Sequence, residues 1–310
     1  MLKGKKVLVV GGAGFLGTNL CENLLLEGAS IRVIARNKGN VEFLKSLSFD
    51  FEYIEGDYGD LSIISNAMKQ VDVVFHLAST TIPSTSNKNP IHDIRTNVIP
   101  TIQLLDLAVQ LQIKKVIFFS SGGTVYGVSK NFPISEEAPL NPINSYGIHK
   151  TIIEKYLSLY KRLYNLEYVV VRISNPYGPW QQPNIGQGVI ATYINKIYTN
   201  QVLEIWGDGN VIRDYVYVDD VVRAIKSLIL YDGKFNIFNI ASGRGTSLTQ
   251  IIKLIETNLE RSARVKFLNS RKEDVAKNIL SIERANTELN WFPEFDLNSG
   301  IINTIEKKFS

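Results

Sequence analysis

Residues 5–20 read KKVLVVGGAGFLGTNL and join a run of β-branched residues to a cluster of glycines. The apolar run Val7 to Val10 predicts a short strand that is buried on both faces. The segment that follows carries leucines at helical spacing, and Gly28 ends it. This stretch therefore predicts a strand, a glycine-rich turn and a helix in direct succession.

The alternation of strand and helix continues outward from this stretch. Further strands are predicted over ASIRVIA, FEYIEGD, VDVVFHLAS, KKVIFFSS and EYVVVRIS, and helices over VIPTIQLLDLAVQLQ and TIIEKYLSLYKRLY. Apolar strands that alternate with helices are typical of a parallel, doubly wound (Rossmann) α/β sheet. From about residue 175 the elements become shorter, which predicts a smaller α/β lobe interleaved with the first domain.

The composition is that of an ordinary soluble protein. Of the 310 residues, 45% are hydrophobic and 21% are charged, and the net charge of +4 is scattered, so nucleic-acid binding is not indicated. The run Val7 to Val10 is far too short for a signal peptide or a membrane span. A single cysteine, Cys21, fits a reducing compartment. We therefore expect a cytoplasmic protein with no membrane partner.

Gly11, Gly14 and Gly17 are spaced three residues apart at the turn between the first strand and the first helix. Glycines at such a turn let the backbone approach a pyrophosphate, and the helix offers its free N–H groups and positive dipole end. We therefore expect Gly11, Gly14, Phe15, Leu16 and Gly17 to bind a dinucleotide cofactor. The alternative is a simple turn between a strand and a helix.

Tyr146 and Lys150, in the segment SYGIHK, lie four residues apart at the start of a predicted helix, so their side chains share one face. A tyrosine has a pKa of about 10 and is a poor acid or base at neutral pH. A nearby ammonium stabilises the phenolate, so we expect Lys150 to lower the pKa of Tyr146 and to allow proton transfer. The alternative is an exposed tyrosine beside a solvated lysine.

Together the motifs resemble the extended short-chain dehydrogenase/reductase family, in its branch of nucleotide-sugar epimerases, dehydratases and reductases similar to UDP-glucose 4-epimerase. The resemblance spans nearly the whole chain and rests on GGAGFLG, GDYGD, FHLAS, TNVIPT, SSGGTVYG, SYGIHK, RISNPYGP, GDGNVIRDYVYVDD and FNIASG. It implies a dinucleotide-binding domain over residues 1–174 and a nucleotide-sugar lobe over residues 175–310. NAD or NADP is the implied cofactor, and no metal site is expected.

On the cofactor side, the resemblance implies a role for several residues that follow the predicted strands. Asp57 and Tyr58 are expected at the adenine, and Asn97 is expected to hold a strand and a helix beside the active site. Tyr146 is the implied acid/base, and Lys150 is expected to bind the ribose hydroxyls. The path to the nicotinamide ribose is expected to be lined by Leu77, Ala78 and Ser79.

On the substrate side, the resemblance implies that Asn175 and Arg213 contact the diphosphate of a nucleotide sugar. A guanidinium suits this task because it presents forked donors to phosphate. Arg271 is similar to a second basic contact of the family, with Asp274 near the ribose of the nucleotide. For Arg213 the alternative is an ion pair with one of the three aspartates that follow it closely in the sequence.

The segment SSGGTVYG departs from the family pattern. Gly122 stands where many 4-epimerases carry a serine, so Thr124, or Ser121 in reserve, is expected to supply the assisting hydroxyl. Gly123 and Thr124 occupy the positions at which the 4,6-dehydratases carry an Asp–Glu pair. Because dehydration needs a positioned acid and base, a dehydratase is not expected.

The end of the second strand, IRVIARNKG over residues 31–39, also departs from the family pattern. In NAD-bound epimerases this strand usually ends in an aspartate that binds both adenosine ribose hydroxyls, and Ala35 cannot do so. Arg36 is placed to pair with a 2′-phosphate, with Asn37 and Lys38 as further donors, which favours NADP. The alternative is an arginine that is solvated or stacked on the adenine.

Three functions follow as hypotheses. The favoured one is a 4-ketoreductase of a nucleotide-linked hexose, with a 4-keto-6-deoxyhexose on dTDP as substrate, in the biosynthesis of cell-surface polysaccharide. The second is a UDP-hexose 4-epimerase, which oxidises C4 and returns the hydride to the other face. The third is a non-enzymatic domain that senses cofactor, and the Tyr146–Lys150 pair argues against it.

A homodimer is also expected. The helices that follow Asn97 and Tyr146 carry broad apolar faces, and in the family such helices often pair between two subunits. The alternative is that these faces simply cover the sheet.

Overall fold

A computed structural model describes residues 4–36, 39–47, 50–183, 187–270 and 275–309. The strands in these ranges are β1 (Lys6–Val10), β2 (Ser30–Ala35), β3 (Glu52–Glu55), β4 (Val73–His76), β5 (Lys115–Ser121), β6 (Tyr168–Ile173), β7 (Asn175–Tyr177), β8 (Val202–Trp206), β9 (Ile212–Tyr217), β10 (Ile237–Ile240), β11 (Gly245–Ser247), β12 (Arg264–Leu268) and β13 (Lys277–Asn278). The helices are α1 (Phe15–Leu26), α2 (Val41–Ser46), α3 (Leu61–Ala67), α4 (Pro83–Ser86), α5 (Pro90–Asp93), α6 (Ile99–Gln110), α7 (Ser145–Tyr164), α8 (Val189–Tyr198), α9 (Val218–Leu230), α10 (Leu248–Leu259), α11 (Glu283–Leu289) and α12 (Leu297–Phe309). A π-helical turn, Ile94–Val98, leads directly into α6.

Seven parallel strands form the main sheet, in the order β10–β6–β5–β4–β1–β2–β3. This arrangement confirms the predicted doubly wound α/β fold. The chain runs outward from β1 to β3 on one side and from β4 to β10 on the other, so the order reverses between β1 and β4. In open parallel sheets, ligands bind in the crevice at the carboxyl ends of the strands at such a point.

The sheet is buried on both faces, as the apolar strands predict. Alternate residues of β1 point to opposite sides, so Val7 and Val9 pack in one core cluster with side chains of α1. Leu8 and Val10 pack in the other cluster, with side chains of α6 and α7. All four are at most 1% exposed. Because both layers press on the same strands, the carboxyl edge of the sheet is rigidly placed.

The later part of the chain builds two small sheets and also completes the large one. β9 pairs with β11, β13 and β7, and β8 pairs with β12. β10 pairs with β6 in the main sheet, so the two parts of the chain are interleaved. The division into domains at residues 174 and 175 stays a prediction.

A buried ion pair attaches α7 to the main sheet. Nη2 of Arg172, on β6, lies 2.7 Å from Oε2 of Glu154, on α7, and neither residue is more than 4% exposed. The Ser120 hydroxyl donates to the same carboxylate at 2.5 Å. Arg172 also donates to the hydroxyl of Tyr126 at 2.9 Å. Breaking such a buried pair costs about 3–5 kcal/mol, so this network fixes the helix that carries Tyr146 and Lys150.

Candidate active site

The turn after β1 needs glycine for steric reasons. Gly11 has a φ of +87°, and a Cβ there would lie 2.9 Å from the backbone nitrogen of Ala78, which follows β4. The N–H of Gly11 donates to the carbonyl of Ile34, which ties the turn to β2. A Cβ on Gly17 would lie 2.5 Å from the carbonyl oxygen of Gly11, so α1 packs directly on the turn.

The N-terminus of α1 is open to an anion. No side chain caps it, its first turn holds no acidic residue, and the first N–H groups of a helix lack intrahelical partners. Among the described atoms, a Cβ on Gly14 would meet only the carbonyl oxygen of Gly11, at 3.4 Å. The space above the N–H groups of Phe15, Leu16 and Gly17 therefore fits the diphosphate of a dinucleotide.

A cleft of about 230 Å³ opens at this edge of the sheet. It brings together half of the fourteen residues predicted to bind cofactor, and it adds several that the sequence did not single out. The predicted residues that do not line it are Phe15, Leu16, Gly17, Asp57, Asn97, Tyr146 and Lys150. The lining residues are Val10, Gly11, Ala13, Gly14, Ile34, Ala35, Arg36, Gly56, Tyr58, Leu77, Ala78, Ser79 and Thr80. The added residues are apolar or small, and their only signal in the sequence is that they adjoin strand ends.

Arg36 lies at the mouth of this cleft, after the end of β2. Its side chain is exposed, and it forms no hydrogen bond or ion pair with any residue in the described ranges. Ala35, beside it, presents no carboxylate to the cleft. Asn37 and Lys38, the further donors expected there, lie outside the described residues.

Asp57 and Tyr58 take different positions after β3. Tyr58 lines the cleft with its ring, while its hydroxyl donates to the carbonyl of Thr96 at 3.0 Å. Asp57 accepts a hydrogen bond from the N–H of Gly59 at 2.9 Å and is not among the lining residues. Its predicted contact with the adenine stays a prediction.

Asn97 lies in the π-helical turn beside the cleft and is 2% exposed. Its amide oxygen accepts from the N–H of Thr80 at 2.9 Å, and its amide nitrogen donates to the carboxylate of Asp93 at 2.9 Å. The segment after β4 is thereby connected to the turn before α6. In the described structure Asn97 acts on the shape of the cleft and does not line it.

Tyr146 and Lys150 share one face of α7, as their spacing predicts. Nζ of Lys150 lies 5.5 Å from the ring centroid of Tyr146 and 4.7 Å from that of Phe118. The ammonium donates to the carbonyl of Phe119 at 2.9 Å, and the residue is 2% exposed. Because a lysine ammonium has three donors, two remain for a ligand.

The prediction that Lys150 lowers the pKa of Tyr146 is wrong for this structure, in which that pKa is raised. Burial and the nearby charge of Asp93 raise the pKa of Tyr146 to about 12. Burial also lowers the pKa of Lys150 to about 8, although Glu154 and Asp93 oppose this change. Burial and the carboxylate of Asp93 thus decide the pKa of the phenol, and Tyr146 is protonated at neutral pH.

The surroundings of Gly122 are crowded. A Cβ at this position would lie 2.4 Å from Cδ1 of the buried Leu280 and 3.1 Å from the carbonyl oxygen of Arg172, so a serine here would require Leu280 to shift. The hydroxyl of Thr124 donates weakly to the carbonyl of Ser121 at 3.4 Å. The hydroxyl of Ser121 makes no hydrogen bond within the described ranges. Both candidates for the assisting hydroxyl therefore remain open.

The expected substrate residues meet at the small sheet of β7 and β9. Asn175 pairs in register with Tyr215, and its amide nitrogen donates to the carbonyl of Asp214 at 2.9 Å. Arg213, the neighbouring residue on β9, donates to the carbonyl of Ile212 at 3.0 Å. The predicted diphosphate contact of Arg213, and the alternative of an ion pair with one of the aspartates at 214, 219 and 220, both stay predictions.

Two further predictions concern residues outside the described ranges. Arg271 and Asp274 fall there, so their roles stay predictions.

In the part of the chain that is described, no group of three or more His, Cys, Asp or Glu residues could hold a metal ion. No helix among the described residues has the length and apolar character needed to span a membrane.

Comparisons with known proteins agree with this geometry. The model of the NAD-dependent epimerase/dehydratase family matches residues 7–241. A putative UDP-glucose 4-epimerase of Methanocaldococcus jannaschii and a dTDP-4-dehydro-6-deoxyglucose reductase of Escherichia coli are each 35% identical, over 95% of both chains. The solved structure of a UDP-glucose 4-epimerase of Thermotoga maritima with UDP-glucose is 35% identical, covers 98% of both chains and has a TM-score of 0.93.

The chain therefore belongs to the NAD-dependent epimerase/dehydratase family. This confirms the resemblance, the expectation of an enzyme and the expectation of a nicotinamide dinucleotide as cofactor. Relatives named as an epimerase and as a reductase both share 35% identity with the chain. The choice between the two reactions rests on the site itself.

The glycine turn generates a prediction with an internal control. Gly14→Ala should fold with a nearly unchanged free energy of unfolding but bind NAD⁺ at least about tenfold more weakly, because the methyl group enters the open space. Gly17→Ala should instead lower the free energy of unfolding by about 1–3 kcal/mol, because its Cβ meets backbone atoms. Calorimetric titration and urea denaturation measure the two effects. Unchanged affinity in Gly14→Ala would remove the diphosphate from this helix end.

Proposed function

We propose that the protein is a 4-ketoreductase that transfers hydride from a nicotinamide cofactor to C4 of a nucleotide-linked hexose. The observation that carries this proposal is the end of β2, where Ala35 and Arg36 line the cleft and Arg36 makes no ion pair with a described residue. A carboxylate at this point would repel a 2′-phosphate, and none is present. The exposed guanidinium can pair with such a phosphate, which supports use of NADPH.

The preference for NADPH bears on the direction of the reaction. An epimerase returns its hydride in every cycle and gains from holding NAD tightly. A net reductase must exchange its cofactor in every turnover, and cells usually drive reductions with NADPH. The end of β2 therefore supports net reduction over epimerisation.

The state of Tyr146 supports the same direction. Reduction of a ketone needs a hydride at carbon and a proton at oxygen, and a phenol that is protonated at neutral pH can donate that proton. Burial and Asp93 keep Tyr146 in this form by raising its pKa to about 12. After donation the phenolate takes a proton from solvent, and the starting state is restored once product and oxidised cofactor have been exchanged for substrate and reduced cofactor.

The other residues of the site then have distinct roles. Lys150 uses its two remaining donors for the nicotinamide ribose and places a positive charge near the developing phenolate. Thr124, or Ser121, hydrogen-bonds the oxygen at C4 and orients the sugar. Two donors of Lys150 are left for the ribose, because in the described structure its ammonium makes one hydrogen bond, to the carbonyl of Phe119.

The substrate is proposed to be a 4-keto-6-deoxyhexose on dTDP. Asn175 and Arg213 would hold its diphosphate, with Arg271 as a second cation and Asp274 at the nucleotide ribose. The Escherichia coli relative named dTDP-4-dehydro-6-deoxyglucose reductase supports this choice. A cytoplasmic location and a role in cell-surface polysaccharide are part of the same proposal, and the single buried Cys21 is consistent with a reducing compartment.

A UDP-hexose 4-epimerase is the second candidate. It is supported by relatives with that name and by a structural neighbour solved with UDP-glucose. It requires that the cofactor stays bound between turnovers. A protein that purifies with bound NAD and interconverts UDP-glucose and UDP-galactose without added cofactor would establish it in place of the reductase.

The role of Tyr146 is tested by removal of its hydroxyl. Tyr146→Phe should lower kcat by about two to four orders of magnitude and leave cofactor affinity largely intact, because only proton transfer is lost. Tyr156→Phe is the matched control, because this tyrosine lies in the same helix, is partly buried and packs against the core. Steady-state kinetics on a 4-keto sugar nucleotide measures both variants. Nearly normal turnover in Tyr146→Phe would reject the assignment.

The role of Arg36 is tested by the difference between the two cofactors. In Arg36→Ala, kcat/KM with NADPH should fall by an amount equivalent to about 1.5–3 kcal/mol, the value of a hydrogen-bonded charge pair. The value with NADH should stay nearly the same, because NADH carries no 2′-phosphate. Equal losses with both cofactors would show that Arg36 stacks on the adenine or acts on the fold.

A homodimer is proposed on the basis of the outer faces of α6 and α7. Ile153 and Leu157 of α7 pack in the core. Covering the sheet therefore explains the apolar residues on the inner face of this helix, but not those on its outer face. Large apolar side chains remain between 41% and 58% exposed on the other face: Ile99, Ile148, Leu159 and Leu163. Exposed apolar surface of this kind is typical of an interface.

Light scattering tests the dimer directly. At micromolar concentration we expect twice the chain mass of 34.8 kDa. Leu163→Glu, at the outer face of α7, should shift the mass toward that of the monomer because it places a charge in the apolar interface. A monomer mass for the unchanged protein would refute the proposal.

A further inference from the structure

Asp93 is a buried carboxylate at the centre of a polar cluster beneath the catalytic helix. It is 0% exposed and lies at the end of α5, a segment that the family resemblance did not include. Its oxygens accept hydrogen bonds from side chains of three separate segments. The donors are Thr81 at 2.5 Å, Ser145 at 2.7 Å, Asn97 at 2.9 Å and His149 at 3.0 Å.

The same region of the chain holds the first turn of α7. The N–H of Tyr146 donates to the hydroxyl of Ser86 at 3.0 Å, and the N–H of Ser145 donates to the amide oxygen of Asn87 at 2.8 Å. The first N–H groups of a helix have no intrahelical partners, so these bonds decide where the helix begins. Asp93 completes this attachment through the Ser145 hydroxyl.

His149 lies between the two catalytic residues and is 1% exposed. Its Nδ1 faces the carboxylate of Asp93, which can only accept, so Nδ1 carries the proton and donates. Its ring meets that of Tyr146 edge-on, at 4.9 Å between centroids. Its Nε2 is buried and has no hydrogen-bond partner among the described residues. A buried polar atom without a partner costs folding free energy, so this imidazole calls for an explanation.

We propose that Asp93 and His149 are positioning residues, a buried carboxylate–imidazole pair that fixes the first turn of α7 and places one negative charge beside Tyr146 and Lys150. The inference rests on the proposed roles of Tyr146 and Lys150. The pair touches neither substrate nor cofactor in this assignment. It acts through the orientation of the Tyr146 ring and through the charge that both side chains experience.

The charge of the pair follows from its surroundings. Burial and the charge of Lys150 lower the pKa of His149 to about 4, so the imidazole is neutral at pH 7. Burial raises the pKa of Asp93, but the hydrogen bonds from Thr81, His149 and Ser145 outweigh this effect and hold it below its usual value. The pair therefore carries a single negative charge over the physiological range.

This charge stabilises the ammonium of Lys150 and disfavours the phenolate of Tyr146. The other ionisable groups that face Lys150 come from the elements packed around it. These groups are Glu154, Tyr146 and His149 on α7, Asp93 on α5, and His76 on β4. Removal of the Asp93 charge should therefore lower the pKa of Lys150, because one of its two stabilising carboxylates is lost.

The charge is tested by NMR titration of the Lys150 side chain between pH 6 and pH 10, in the full-length protein labelled with ¹⁵N-lysine and assigned through Lys150→Arg. In Asp93→Asn the titration midpoint should fall by about one pH unit. Asp220→Asn is the matched control, because Asp220 is equally buried and accepts backbone N–H bonds, but lies on α9. An unchanged midpoint in Asp93→Asn, or an equal shift in Asp220→Asn, overturns the proposal.

The positioning role is tested by variants of His149, which leave Asp93 its other three donors. His149→Leu should lower kcat about tenfold at an unchanged KM for the sugar nucleotide, because the Tyr146 ring loses its contact. His149→Asn retains a donor for Asp93 and should restore most of kcat and the wild-type midpoint of Lys150. Normal kcat in His149→Leu, or no recovery in His149→Asn, overturns the proposal.

The titration separates this inference from the proposed function. It reports the charge on Lys150 without turnover, so a shifted midpoint supports the pair whatever the substrate is. Full activity in Tyr146→Phe would reject the proposed proton donor while leaving the titration result intact.

Discussion

The close approach of two backbone segments at the carboxyl edge of the sheet is the constraint on which the site depends. The turn after β1 meets the segment after β4 so closely that a Cβ on Gly11 would lie 2.9 Å from the nitrogen of Ala78. The strand order reverses between these two strands, and the cleft opens there. Without this contact the helix end at Gly14 and the residues after His76 would not border the same cavity.

The catalytic helix is held from two sides by buried charge. At its N-terminus Asp93 accepts from Ser145 and His149, and two turns further on Glu154 pairs with Arg172. Buried carboxylates need several donors to offset the loss of water, and both have them. Burial, together with the charge of Asp93, explains why Tyr146 has a raised pKa although a lysine lies on the same helix face.

Much of the fold could be predicted because its signals are local. The run Val7 to Val10 is apolar at every position, which requires two covered faces and hence a doubly wound sheet. The π-helical turn before α6 and the short helices α4 and α5 were missed. They lack hydrophobic periodicity, and polar bonds to residues distant in the sequence, such as Thr80 and Ser145, define them instead.

The sequence by itself determined the order of strands and helices, the glycine turn and the shared face of Tyr146 and Lys150, since spacing along one chain segment sets each of them. The tertiary structure alone decided which groups face that pair. Asp93 and His149 are 56 residues apart and bond at 3.0 Å, and Leu280 fills the space beside Gly122. Charge and packing act through space, so the pKa of Tyr146 and the crowding beside Gly122 depend on contacts that no local pattern contains.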